Sequence, residues 1–167
     1  MAEHLEIERK FLIAYPCEQD LRGAERVEIS QTYLLSEKGE THRIRRWICE
    51  GQTRYFETRK RRITDVTCHE DEKEIDRASY EALLTLQDPA RKTVEKVRYR
   101  LPCGAHLAEI DVYPFWRDRA ILEVELGSED ETFETPCGIR ILREVTDDPR
   151  YKNASLARSV PQEPIEM

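Results

Sequence analysis

Charged and apolar residues alternate, with the charges two apart, in six short stretches of this chain. They are Glu6-Ile7-Glu8-Arg9-Lys10, Arg43-Ile44-Arg45, Lys96-Val97-Arg98, Glu109-Ile110-Asp111, Glu123-Val124-Glu125 and the run Glu70-Asp71-Glu72-Lys73-Glu74. A period of two is the side-chain period of a β-strand, so each stretch gathers its charges on one face. Strands are expected near 4–13, 27–35, 41–49, 53–62, 67–75, 92–101, 105–114 and 120–127. Short polar turns containing Gly, such as Glu37-Lys38-Gly39-Glu40 and Glu50-Gly51-Gln52, punctuate them as hairpins. Arg77–Leu86 reads as a helix, with Asp76 as N-cap, an apolar stripe of Tyr80, Leu83, Leu84 and Leu86, and Asp88-Pro89 to end it. A short helix is expected within 17–24, a short apolar piece over Ile139–Val145 and a helical piece over Tyr151–Ala157.

One face of nearly every strand is charged and the other apolar. A flat sheet would leave the charged face in bulk water, whereas a closed barrel would collect it in a lumen with apolar residues packed outside against helices. Alternation alone does not separate the two. The sorting of acids onto some strands and bases onto others favours the lumen, because scattered surface charge mixes signs within a strand. The chain is therefore read as mainly β: a closed eight-stranded antiparallel barrel with a few flanking helices and a charged lumen. A single domain over 1–160 and a frayed tail over 161–167 are expected.

Composition sharpens this. Of 167 residues 37% are charged and 39% are hydrophobic, a balance that raises the question of disorder, but 7 Tyr, 4 Phe, 2 Trp and regularly spaced apolar positions argue for a folded chain with a polar interior. The net charge of −7 disfavours nucleic acid as a partner. The basic run Arg59-Lys60-Arg61-Arg62 is read as a solvated strand end. The 5 cysteines are far apart and lack zinc spacing, and are read as reduced thiols of a cytoplasmic protein. The sequence MAEHLEIERK has no apolar core of a signal peptide, and no 18-residue apolar window exists, so no membrane association is expected.

The sorted faces carry the acids Glu6, Glu8, Glu70, Glu72, Glu74, Glu109, Asp111, Glu123 and Glu125, and the bases Lys10, Arg43, Arg45, Lys60, Lys96 and Arg98. Buried charges on this scale must be paired. The acids outnumber the bases, and divalent cations would neutralise the excess; hard oxygen ligands select Mg²⁺ or Mn²⁺. Guanidinium groups bind phosphate oxygens bidentately and lysines act as point charges. Acids, bases and metal in one cavity are the equipment of phosphoryl transfer. No GxxxxGK[ST], GxGxxG or HExxH motif is present. His4, His42, His69 and His106 are scattered and read as surface or turn residues, and Trp47 and Trp116 as packing.

The opening Glu6-x-Glu8-x-Lys10 resembles the ExExK signature of the CYTH family, the triphosphate tunnel metalloenzymes. Further blocks match in order: Gln31-Thr32-Tyr33-Leu34, His42-Arg43-Ile44-Arg45, Glu57-Thr58-Arg59-Lys60, Glu70 to Ile75, Lys96 to Tyr99, Glu109 to Tyr113, Leu122 to Leu126, Glu144 to Asp148 and Tyr151 to Ala157. The resemblance implies an eight-stranded tunnel that binds a triphosphate or polyphosphate with divalent metal, most similar to the short bacterial inorganic triphosphatases. On this resemblance Glu6, Glu8, Glu72, Glu123 and Glu125 hold metal. Glu70, Glu72 and Lys60 serve catalysis. Lys10, Arg43, Arg45, Lys60, Lys96 and Arg98 bind phosphate. Glu74, Glu109, Asp111, Tyr33 and Lys152 are accessory, and a homodimer is compatible with it. A class IV adenylate cyclase, a thiamine or nucleoside triphosphatase, and a polyphosphate-binding module are the alternatives. Cys68 stands where the family often has Arg, which puts one rim contact in doubt.

Overall fold

The computed structural model describes residues 2–165, with side chains from residue 5 onward. Among the described residues there are nine strands: β1 (Ala2–Ala14), β2 (Glu25–Leu34), β3 (Glu40–Cys49), β4 (Gln52–Arg62), β5 (Thr67–Ile75), β6 (Val94–Cys103), β7 (His106–Val112), β8 (Arg119–Glu125) and β9 (Ile141–Glu144). Helix α1 (Arg77–Leu84) and the single turn α2 (Asn153–Leu156) complete it, with 3-10 turns at Glu18–Leu21 and Pro149–Tyr151. The helix expected within 17–24 is thus one 3-10 turn, and α1 stops two residues before Leu86. The expected 151–157 helix is split by the 3-10 turn.

The strands close in the order β1-β5-β4-β3-β2-β6-β7-β8 and back to β1, all antiparallel, with β9 as an added ninth strand. Local chemistry sets the hairpins. Glu50 and Gly51, at φ 50° and 76°, form the two-residue turn between the paired Cys49 and Gln52. Positive φ at both positions gives the twist that matches two right-twisted strands. Asp76 caps α1 by accepting a hydrogen bond from the Ser79 amide at 2.7 Å.

Closure depends on β1 changing neighbours. Its residues 2–7 pair with β5, and residues 8–14 pair with β8. Beyond Ile7 the gap on the β5 side is filled by β9 and the segment after it: Phe11, Leu12 and Ile13 pair with β9, and Val145 and Thr146 bond to the Lys10 backbone.

Two apolar layers lie outside the barrel. Phe11, Ile13, Ile110, Leu122 and Val124 are covered by Leu21, Phe133 and Ile139 from the loops. Leu34 and Ile44 are covered by Tyr80, Leu83 and Leu84 of α1. Helices therefore cover only part of the outer surface. A third layer is internal. Leu12 continues the face of Glu8 and Lys10, Tyr33 faces Arg43 in register, and Ile121 continues the face of Glu123 and Glu125. With Val94, Tyr113, Trp116, Val145, Tyr151, Leu156 and Ala157 they fill one end of the lumen. The inner face thus changes along the strands from charged to apolar, and the charged part is a cup with a floor.

The tail expected to fray is held as far as it is described. Trp116 Nε1 donates to the Pro161 carbonyl at 2.9 Å, Arg119 donates to the Glu163 carbonyl, and Ile165 packs against the internal layer. Trp116, Arg119 and the internal apolar layer offer the tail hydrogen bonds and apolar contact that sequence position alone does not reveal. All five cysteines are free thiols. No described helix is long and apolar enough to cross a membrane.

Candidate functional site

The cup is a cavity of about 250 Å³ lined by Glu6, Glu8, Arg43, Arg45, Trp47, Lys60, Glu70, Glu72, Arg98, Glu109, Glu123, Glu125 and Asn153. Register brings them together: Lys60 lies opposite Glu70, Thr58 opposite Glu72, Glu109 opposite Glu123, and Glu8 opposite Glu125. Residues paired in register share a face, so period-two alternation on each strand becomes one continuous charged wall.

The bases are held by acids. Lys60 Nζ donates to Glu6 at 2.6 Å and lies 3.3 Å from Glu70. Arg45 and the Thr58 hydroxyl both donate to one oxygen of Glu72 at 2.8 Å. Arg98 forks onto Asp111 at 2.8 and 2.9 Å and reaches Glu123 at 3.5 Å. Arg43 differs. It is buried, forms no ion pair within 4 Å among the described residues, and its Nε has no hydrogen-bond partner. A buried guanidinium with an unbonded Nε facing a polar cavity has the chemistry to take an anion.

The carboxyls titrate apart. Burial pushes Glu8 up to about 8, reinforced by the charges of Glu123 and Glu6. Burial likewise raises Glu70, which also hydrogen-bonds Glu6. Burial would raise Glu6 too, but Lys60 beside it wins and holds it well below the ordinary range. Glu123 is held low, against burial, by Lys10, Arg98 and Lys96. For Glu72 burial is outweighed by Arg45 and the Thr58 hydrogen bond, so it too is lowered. One site thus holds acids of very different proton affinity.

Several expected residues lie elsewhere. Lys96 and Asp111 are fully buried against each other at 2.8 Å, at the floor of the charged layer. Lys10 sits 3.4 Å from Glu123 and donates to the Tyr151 carbonyl at 3.4 Å. Tyr33 belongs to the internal apolar layer, and Lys152 is half-buried beside Asn153. Glu74 is outside the cavity, exposed and paired with Arg54 at 2.7 Å. Its parity matches Glu70 and Glu72, but β5 pairs with β1 only as far as Glu72, so Glu74 lies past the point of closure. Lys60 is in the lumen while Arg59 points out to Glu40, so the basic run is only partly a solvated end. Cys68 faces Glu6 in register, with its thiol 3.6 Å from that carboxylate and pushed up to about 11 by burial.

Two lining residues escape the sequence reading. Trp47 has the parity of Arg43 and Arg45, and alternation extended two residues would have found it. Asn153 lies in the matching block Tyr151–Ala157 but outside any alternating run, so only the folding-back of the closing segment brings it in.

No family model matches the chain. It is 37% identical over 161 residues to the inorganic triphosphatase of Nitrosomonas europaea, covering 93% of this chain and 99% of that protein. The chain belongs to the triphosphate tunnel metalloenzyme family. An inorganic triphosphatase of Acetivibrio thermocellus is 29% identical over 155 residues, covering 92% of this chain and 94% of its own. A crystal structure of an inorganic triphosphatase superposes with a TM-score of 0.57 at 34% identity, covering 93% of this chain and 96% of that one. Family membership and the closed barrel therefore agree.

Proposed function

We propose that this chain is a divalent-metal-dependent hydrolase of inorganic triphosphate. Arg43 carries the reading: a buried cation with an unbonded Nε and no ion pair within 4 Å among the described residues, in a cavity where Arg45, Lys60 and Arg98 supply further phosphate donors. Seven carboxyls line the same cavity against four bases, so a polyanion enters at high electrostatic cost unless cations accompany it.

The donor set fits Mg²⁺ or Mn²⁺. It consists of hard carboxylate oxygens, and the crowding that raises Glu8 beside Glu123 and Glu6 is what a divalent cation relieves. Among the described residues no three acidic, His or Cys side chains converge as a ready-made cage, because the carboxylates are turned toward lysines and arginines. When triphosphate takes those bases, the acids are released to metal. Glu6, Glu8, Glu123 and Glu125, with Glu72, would hold it, and the bound cation would neutralise phosphate oxygens and orient the chain.

The chain's own groups do the rest. Water attacks the terminal phosphorus, the P–O–P bond breaks, and pyrophosphate leaves. Glu70 accepts the water proton: its raised proton affinity suits a base, whereas the lowered Glu72 suits a metal ligand. Arg43, Arg45, Lys60 and Arg98 hold phosphate oxygens and stabilise charge that develops on them. Lys10 and Lys96 act from beneath, setting Glu123 and Asp111.

Phosphate release from tripolyphosphate with Mg²⁺ or Mn²⁺, with and without EDTA, tests this. Release that persists in EDTA, or none from any triphosphate, overturns it. Cyclic AMP from ATP in place of phosphate release would establish the cyclase alternative.

A further inference from the structure

We propose that Asn153 is a substrate-binding residue of the cup, an uncharged donor to phosphate oxygen, and that Tyr113 is the positioning residue that aims it. The proposal rests on the triphosphatase reading for its substrate, and on independent geometry for the site.

Asn153 lines the cavity with Arg43, Arg45 and Lys60. The Tyr113 hydroxyl donates to Asn153 Oδ1 at 2.6 Å. An amide has one acceptor oxygen and two N–H donors. With the oxygen engaged, Nδ2 is the free end, and it has no hydrogen-bond partner among the described residues. The tyrosine side supports this orientation. Tyr113 is fully buried in the internal apolar layer, and burial with the charges of Asp111 and Glu123 keeps its hydroxyl protonated, so it has a proton to give to Asn153 Oδ1.

The backbone of Asn153 is equally fixed. Tyr151, Leu156 and Ala157 on either side are buried in the floor, Tyr151 packs on Trp116 at 5.9 Å, and the Lys92 amide donates to the Ala157 carbonyl at 2.7 Å. Asn153 is therefore a short side chain on an anchored turn, held at both ends, which is the condition for a precise contact.

What the amide adds is specific to this cavity. Arg45, Lys60 and Arg98 each hold an acid, and binding phosphate through them means giving that partner up. The Asn153 N–H groups donate with no ion pair to break and add no positive charge to repel a cation nearby. They are suited to a phosphate oxygen already neutralised by metal.

The experiment compares wild type with Asn153→Ala, Asn153→Asp, Tyr113→Phe and the double variant Tyr113→Phe/Asn153→Ala. Turnover of tripolyphosphate is followed with Mn²⁺, and binding of tripolyphosphate in EDTA by calorimetry, with a thermal melt for each protein. Asn153→Ala is expected to weaken EDTA-binding about tenfold, the effect of one hydrogen bond to a charged group. KM should rise with it and the Mn²⁺ concentration for half-activity should not change. Asn153→Asp should bind more weakly still, by like-charge repulsion. Tyr113→Phe keeps the packing and frees the amide, so it should lose affinity, and the double variant should be no worse than Asn153→Ala alone. Additive losses overturn the positioning role of Tyr113. Wild-type affinity in Asn153→Ala overturns the donor role. If wild type binds tripolyphosphate without hydrolysing it, the triphosphatase reading fails and the calorimetry still decides Asn153. If wild type binds it only with Mn²⁺, KM decides Asn153; if it binds it under neither condition, both fail.

Discussion

Arg45 and Arg46 are neighbours in sequence and strangers in space. Arg45 is 5% exposed and lies on Glu72 inside the cup, whereas Arg46 is exposed on the outer surface. Arg45→Ala should lower kcat/KM for tripolyphosphate roughly a hundredfold, the scale of losing one preorganised donor to developing charge. Arg46→Ala should stay near wild type, and equal losses would refute the strand register. Steady-state kinetics with a fixed excess of Mn²⁺ decides. At this scale the sequence was most informative where strands are regular: eleven of the expected residues line one cavity because parity survives folding. It failed at Glu74, since parity fixes a face but not whether a neighbouring strand closes over it.

Elements were legible in kind and less so in extent. The N-cap of α1 was readable because Asp76 acts locally, on an amide three residues ahead. Asp76→Ala should lower the urea unfolding midpoint by removing the helix cap, with kinetics unchanged because α1 packs on the outer surface. The closing segment was harder to read, since its role is set by contacts with β1 and with the tail. There Asp148 accepts from the backbone and side chain of Arg150 and from Arg143. Arg150 in the first place holds its carboxyl down from 3.8 to about 2. A carboxyl with lowered folded pKa contributes stability that is present above its unfolded value and lost as pH falls through the folded one. Asp148→Asn should therefore melt below wild type at pH 5 to 7, with the gap narrowing as pH falls below about 4. Melts across pH 3 to 7 measure it, and a gap that widens on acidification would refute the assignment.

Across the buried charged layer, acid and base are brought together in pairs. Each of Lys60, Arg45, Arg98 and Lys96 has a carboxylate within 2.8 Å. Chelation should thus abolish turnover yet leave a cooperative melt and an unchanged β circular dichroism signal. Adding Mn²⁺ with tripolyphosphate should then raise the melting temperature, as a ligand bound only by the folded state does. Unfolding by EDTA alone would refute this, since it would make metal, not ion pairing, the partner of the acids.

The sequence by itself determined which residues share a face, which sign of charge each strand carries, and, through its ordered blocks, the family. These follow from a local periodicity of two and from short-range turn chemistry, which no distant contact alters. Only the tertiary structure decided the depth of each charge, the floor of the cup, and the entry of Asn153. Those depend on where β1 leaves β5, on how far β5 remains covered, and on a closing segment that reaches Lys10 across more than a hundred residues of chain. Such contacts are long-range, and nothing in the alternation of a single strand encodes them.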